Sequence, residues 1–314
     1  MPTRTMNALS PLAALLIDWV ITALWPLIGR VGVVYYSGVL FATAGLCVGA
    51  LVVLPLMVAE HRWRPLLDRR ILLRLAAMGF FSAMATVIYI TALSYTTPAN
   101  AAMMAQVEVL YSWLLCVTVL GERLTMAQTE ASLLTLAGTS LIMFHDLGSP
   151  RWKGDLMILA TPWMYQVSHM ISKKLPHHMD PITLAGGRIL FGIITMLPFC
   201  AWTLAHGGRW SWQPPALRIL LVQGVLMSSV NLLLWYRAIR GMDLSKATAI
   251  MLSYPALTLT FSWALGRERI SPIQVAGLAI TMLGAYWMSH LVLEAQHHDP
   301  KPLPPETVGT DLVP

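Results

Sequence analysis

The chain has 314 residues, 56% hydrophobic and 11% charged, with a formal net charge of +6. An average soluble domain is about a quarter charged, so water is excluded as the main solvent of this fold. The basic residues sit in short clusters between apolar runs, with no stripe of interleaved aromatics; this excludes a nucleic-acid surface and points to loops beside a lipid bilayer.

Crossing the hydrocarbon core takes about 20 apolar residues. In chain order the predicted membrane helices cover residues 12–28, 33–58, 71–94, 99–120, 126–144, 154–172, 181–204, 216–239, 244–265 and 272–293. Residues 1–11 precede them. The first run contains Asp18 and lacks a small-residue cleavage site, so it reads as a retained helix rather than a signal peptide. Residues 294–314 carry Pro300, Pro302, Pro304 and Pro305 among mixed charges and read as a disordered tail. With an inside N-terminus, thirteen Lys and Arg fall in inside segments and seven outside, which places both termini in the cytoplasm. No Asn-x-Ser/Thr site occurs, as suits a bacterial inner membrane, and a homodimer is compatible with this organisation.

Cys47, Cys116 and Cys200 all lie inside apolar runs and read as core residues. The pairs His177-His178 and His297-His298 lack further ligands, so no metal site and no cofactor is expected. HExxH, GxSxG and Walker-type sequences are absent, and the reading is of a non-enzyme.

Sliding the sequence over itself by 146 residues lays 120–128 over 266–274. Glu122 then meets Glu268, Arg123 meets Arg269, Gln128 meets Gln274 and Gly138 meets Gly284. Near the start of each half the offset is 144, with Trp19 over Trp163 and Arg30 over Lys174. The chain therefore reads as an all-α membrane protein of ten transmembrane helices in two five-helix repeats, 12–146 and 147–293. An odd number of helices per repeat makes the two halves inverted, an arrangement that places a site at their interface near the midplane.

These residues resemble the EamA-type branch of the drug/metabolite transporter superfamily, whose members are ten-helix carriers built from two five-helix repeats. The resemblance rests on Trp19 with Arg30, Trp163 with Lys174, Glu122 with Gly138, Glu268 with Gly284, Arg188 in the second helix of the second repeat, and Pro255. The first repeat departs from the pattern, lacking the Arg and having Val109 opposite Pro255. The resemblance implies proton-driven or exchange transport of a small organic solute and does not choose among metabolites and drugs.

A carboxylate at the bilayer centre costs roughly 2.5–3.5 kcal/mol on insertion scales, so Asp18 and Glu108 need a reason. Either one is a proton-coupling group, or each belongs to a structural pair between helices. Arg188 is a candidate neutraliser of either carboxylate and reads as structural before it reads as substrate-binding. The spacing of Asn100, Met104, Glu108 and Tyr111 places all four on one helix face, a candidate cavity stripe or ordinary packing. Trp19, Tyr89, Trp163, Trp235 and Tyr254 are candidate stacking rings or interfacial anchors. Gln166, His169 and Asn231 are polar groups in apolar runs, suited to interhelical hydrogen bonds or to substrate contact. Glu122 and Glu268 fall between helices, where they suit helix capping, and Gly138 and Gly284 are expected to be structural. The competing class is a non-transporting membrane scaffold, which would not need the buried carboxylates.

Overall fold

The computed structural model describes residues 9–108, 110, 111, 125–146, 151–176, 179–241, 247, 250, 251, 253–266 and 271–298. Glu122, Glu268, Arg123, Cys116, His177, His178 and the tail beyond 298 lie outside the described residues. Among the described residues every regular element is helical.

Helix α1 (Pro11–Tyr35) opens with the Ser10 hydroxyl accepting from the Ala13 amide and with Pro11 in the first turn, where a missing N–H costs nothing. It outruns its expected end by seven residues, because Gly29 and Gly32 are packing notches rather than breaks. A methyl group at Gly29 would meet Leu93, and one at Gly32 would meet the Phe41 ring. Arg30, expected in a loop, lies inside this helix and donates to the Leu93 carbonyl at 2.6 Å. The turn falls at Tyr36 and Ser37, so α2 begins at Gly38 and runs to Ala59 (Gly38–Ala59).

Helix α3 (Arg69–Ala92) is capped by Asp68, whose carboxylate accepts from the Arg70 and Ile71 amides. Next come α4 (Pro98–Met104), a 3-10 turn (Ala105–Val107) and α5 (Met126–Asp146). The sixth predicted span is two pieces, α6 (Trp152–Leu159) and α7 (Pro162–Lys173), because Pro162 cannot continue the hydrogen-bond ladder of the preceding turn. Helix α8 (Pro181–Ala205) is followed by α9 (Pro214–Val222), a π-helical stretch (Gln223–Asn231) and α10 (Leu232–Gly241) in one continuous run. Helices α11 (Tyr254–Ala264) and α12 (Pro272–His298) complete the described residues, with α12 extending five residues into the segment expected as tail.

Helices α1, α2, α3, α8 and the run Pro214–Gly241 are long and apolar enough to cross a membrane. Their outer faces carry bare apolar side chains such as Leu51 (76% exposed), which water would penalise and lipid would not. Cys47 is exposed on such a face and Cys200 half-buried, which corrects their reading as core. In a membrane protein an apolar run does not imply an interior position, since lipid accepts the same side chains.

The packing pattern repeats when the halves are exchanged. Helix α1 packs on α10 as α7 packs on α3, α2 packs on the π-helical stretch as α8 packs on α3, and α2 meets α8, α4 meets α11 and α5 meets α12. The closest of these contacts is α5 on α12. A methyl group at Gly138 would lie 2.5 Å from the Thr281 amide nitrogen, and one at Gly284 would lie 2.6 Å from that of Thr135. Thr135 and Thr281 are themselves 146 residues apart, so one small-residue contact is made twice. Each of these helices starts with the same reciprocal cap. The Thr125 amide donates to Gln128 Oε1 (3.0 Å) and the Gln128 amide to Thr125 Oγ1 (3.2 Å), and Ser271 with Gln274 does the same at 2.9 and 3.2 Å.

The halves are also tied at both ends. At one end Ser37 and Arg209 exchange hydrogen bonds of 2.9 and 2.8 Å. At the other, Arg62 reaches Asp180 at 3.0 Å and Thr183 donates to the Arg62 carbonyl at 3.0 Å. Asp180 also caps α8, accepting from the Ile182 and Thr183 amides. Partial burial pushes its carboxyl up, but the Arg62 guanidinium and the Thr183 hydroxyl and amide outweigh this and hold it below the usual range. A group with a lowered folded-state pKa stabilises above its unfolded pKa and loses that contribution as pH falls through the folded value. Asp180→Asn is therefore expected to lower the melting temperature of the purified protein uniformly from pH 8 to pH 5. The gap to the parent should narrow below about pH 4. A gap that widens on acidification would contradict this pairing.

Candidate functional site

One partly open cavity, about 210 Å³, lies between the helices. Elements of both halves line it: α1 with Asp18, Thr22 and Trp25, α3 with Ser82, Thr86 and Tyr89, α7 with Tyr165 and His169, α8 with Arg188, and α10 with Trp235. Much of the rest of its wall comes from the places where regular helix is interrupted. The 3-10 turn supplies Ala105 and Gln106 ahead of Glu108, the break between α6 and α7 supplies Thr161 and Pro162, the π-helical stretch supplies Gln223 and Asn231, and Met251 and Tyr254 flank the start of α11. Irregular backbone inside a bilayer is tolerated where it faces protein or a cavity, and π-helical insertions favour functional positions. Two of the interruptions are repeat-related, since the offset of 146 carries Val107 onto Ser253 and Glu108 onto Tyr254.

Both carboxylates on the cavity wall have a neutral amide partner on another helix. Asn231 donates to Asp18 Oδ1 at 2.7 Å and to Thr22 Oγ1 at 2.9 Å, joining the π-helical stretch to α1. Gln166 donates to Glu108 Oε1 at 2.5 Å, joining α7 to the fourth predicted span. The rings gather on one side. Trp25 stacks on Tyr89 (4.4 Å, 7° between planes), Tyr165 meets Trp25 edge-on, and the Tyr165 hydroxyl lies 3.0 Å from that of Thr86. One turn along α7 from Tyr165, His169 leans on Trp235, with ring centroids 5.3 Å apart.

Of the residues singled out in the sequence, Asp18, Tyr89, Glu108, His169, Arg188, Asn231, Trp235 and Tyr254 line the cavity. Gln166 stands behind Glu108. Asn100, Tyr111, Trp19 and Trp163 lie off the cavity wall. Asn100 is fully buried and accepts from Gln274 at 2.6 Å, fastening α4 to α12. Met104 is packed in the apolar core, so of the expected stripe only Glu108 reaches the cavity. The physical reason is the 3-10 turn at Ala105–Val107, which advances each residue by about 120° rather than 100° and rotates the residues beyond it away from the face of Asn100. Trp163 packs edge-on to Phe81, and Trp19 is half-buried.

Sequence reasoning missed Gln106, Gln223, Trp25 and Tyr165. The two glutamines interrupt apolar runs as Gln166 does, and the same criterion would have found them; both are buried with no partner for their Oε1 among the described residues. Nothing in the sequence separates Trp25 or Tyr165 from an interfacial anchor.

The family model described as "EamA-like transporter family" matches the chain twice, over residues 8–144 and 152–290. The chain belongs to the EamA-like transporter family. This EamA protein is accordingly an integral membrane protein of a transporter family. It is 23% identical over 42% of its length to "Uncharacterized transporter YoaV" of Bacillus subtilis, of which the match spans 45%. It is 25% identical over 62% of its length to a "Probable terminal-alkyne amino-acid exporter" of Streptantibioticus cattleyicolor, of which the match spans 65%. It is 27% identical over 42% of its length to human "Solute carrier family 35 member G1", of which the match spans 34%. The EamA chain thus aligns with less than two thirds of each of these relatives. One solved crystal structure has the same fold, with a TM-score of 0.62 at 18% identity over 90% of this chain and 99% of the other.

Proposed function

We propose that this EamA protein is a secondary active carrier that moves a small organic metabolite by alternating access, coupled to protons through Glu108 with Asp18 as the second carboxylate of the site. The observation that carries this reading is a central cavity walled by both halves, two carboxylates and four interruptions of regular helix. Carriers of inverted-repeat design place their sites at midplane in the same way, among discontinuous helices.

Ten transmembrane helices, with repeats at 12–146 and 147–293, belong to the same proposal. Support for inversion comes from α5 and α12. Gly138 meets Thr281 while Gly284 meets Thr135, so position rises along one helix as it falls along the other, and the two pass antiparallel as equivalent helices of inverted halves must. The basic-residue count supports cytoplasmic termini, and an inner bacterial membrane is proposed with it.

The name of the Streptantibioticus relative makes amino acids the first solutes to try. In proteoliposomes containing the purified protein, an imposed pH gradient is expected to drive labelled solute across the membrane against its own gradient. Flux indifferent to that gradient would sink proton coupling, and no flux for any solute tried, with protein correctly inserted, would favour a scaffold.

A further inference from the structure

Arg188 stands seven residues into α8, about 10 Å from its start at Pro181. Glycines clamp its helix in place, since a methyl group at Gly186 would lie 2.6 Å from Met57 Sδ and one at Gly187 would lie 2.9 Å from the Leu75 side chain. The guanidinium lines the cavity, yet among the described residues no carboxylate pairs with it and no group is hydrogen-bonded to it. The neighbouring acids do not serve it, because Asp18 and Glu108 are held by the amides of Asn231 and Gln166. A cation within the hydrocarbon span is costly and normally finds a protein partner. Here the guanidinium faces the cavity, whose wall also holds Tyr165 and His169, both within reach of its charge, and the stacked rings of Trp25 and Tyr89.

We infer that Arg188 is the specificity-determining residue of this site, and that the occupant is a small organic anion whose carboxylate docks on the guanidinium while its apolar body lies against Trp25 and Tyr89. A planar guanidinium takes a carboxylate through two parallel hydrogen bonds, and a dry wall on the apolar side strengthens them. The cavity of about 210 Å³ falls below the roughly 300–1,000 Å³ of drug-sized sites, which favours a metabolite of few atoms.

The inference rests on the transporter reading, and its test separates the two. Calorimetry on the full-length protein in lipid nanodiscs compares phenylacetate, phenethylamine and phenethyl alcohol, which share a ring and differ in charge. Phenylacetate is expected to bind about tenfold more tightly than either of the others, and Arg188→Gln to remove that advantage. Arg188→Lys, which keeps the charge without the fork, should restore part of it, and its melting temperature reports whether the helix survives substitution. Preference for the amine, no binding of phenylacetate by the parent protein, or an unchanged preference in a folded Arg188→Gln would each overturn the assignment. Counterflow of labelled phenylacetate in proteoliposomes then reads transport alone. Binding without flux defeats the carrier reading and leaves the anion site standing, whereas flux of the amine but not of phenylacetate does the reverse.

Discussion

Replacing Glu108 by Gln is expected to lower solute accumulation driven by an imposed pH gradient at least about tenfold, with the melting temperature shifted by only a few degrees. Glu108 is the carboxylate on the wall formed where α4 gives way to the 3-10 turn, and its one hydrogen bond among the described residues comes from Gln166 at 2.5 Å. The substitution keeps volume and shape but removes the group that gains and loses a proton. A fall in accumulation together with loss of its pH dependence would assign coupling to this residue. A fall in protein stability with pH dependence intact would assign it instead to the tie between helices. Unchanged accumulation would remove Glu108 from the mechanism and leave Asp18, held by Asn231 at 2.7 Å, as the next carboxylate to substitute.

Gly138→Ala and Gly284→Ala are each expected to destabilise the protein by about 1–3 kcal/mol through overpacking. The new methyl groups would sit 2.5 Å from the Thr281 nitrogen and 2.6 Å from the Thr135 nitrogen, where backbone, not a flexible side-chain end, must move. Relief requires α5 and α12 to separate, and both substitutions act on that one crossing. The double variant should therefore lose less than the sum of the two, because helices already separated by the first methyl group have room for the second. Melting temperatures of the two single variants and the double variant in one detergent check this. Additive losses would mean that the glycines act independently and that the crossing is not a shared contact.

The duplication was legible because it is written in residues that apolar chance does not supply. Glu, Arg, Gln and Gly recur at an offset of 146, and the same offset relates the Gly138–Thr281 and Gly284–Thr135 contacts and the caps at Thr125 and Ser271. Helix ends were less legible. Residues 29–32 fall between the first two predicted spans, yet Gly29 and Gly32 are notches for Leu93 and Phe41 within one helix, and Arg30 donates to the Leu93 carbonyl. Local sequence offers the same glycine for both purposes, and only the neighbour across the gap tells them apart.

Hydropathy, charge placement and the repeat, all properties of short stretches or of one chain laid over itself, were enough to point to a lipid solvent and a helical membrane fold, and the residues that recur in the repeat carried the resemblance to the transporter family whose model matches both halves. The site needed tertiary structure. Asp18 meets Asn231 across 213 residues, and Glu108 meets Gln166 across 58. A 3-10 turn of three residues sends Asn100 to Gln274 while Glu108 faces the cavity. In water, a polar outer face would mark the inner face of a helix by contrast. In lipid both faces are apolar, so periodicity is nearly silent about orientation, and the helices' packing against each other decides which polar groups share the cavity.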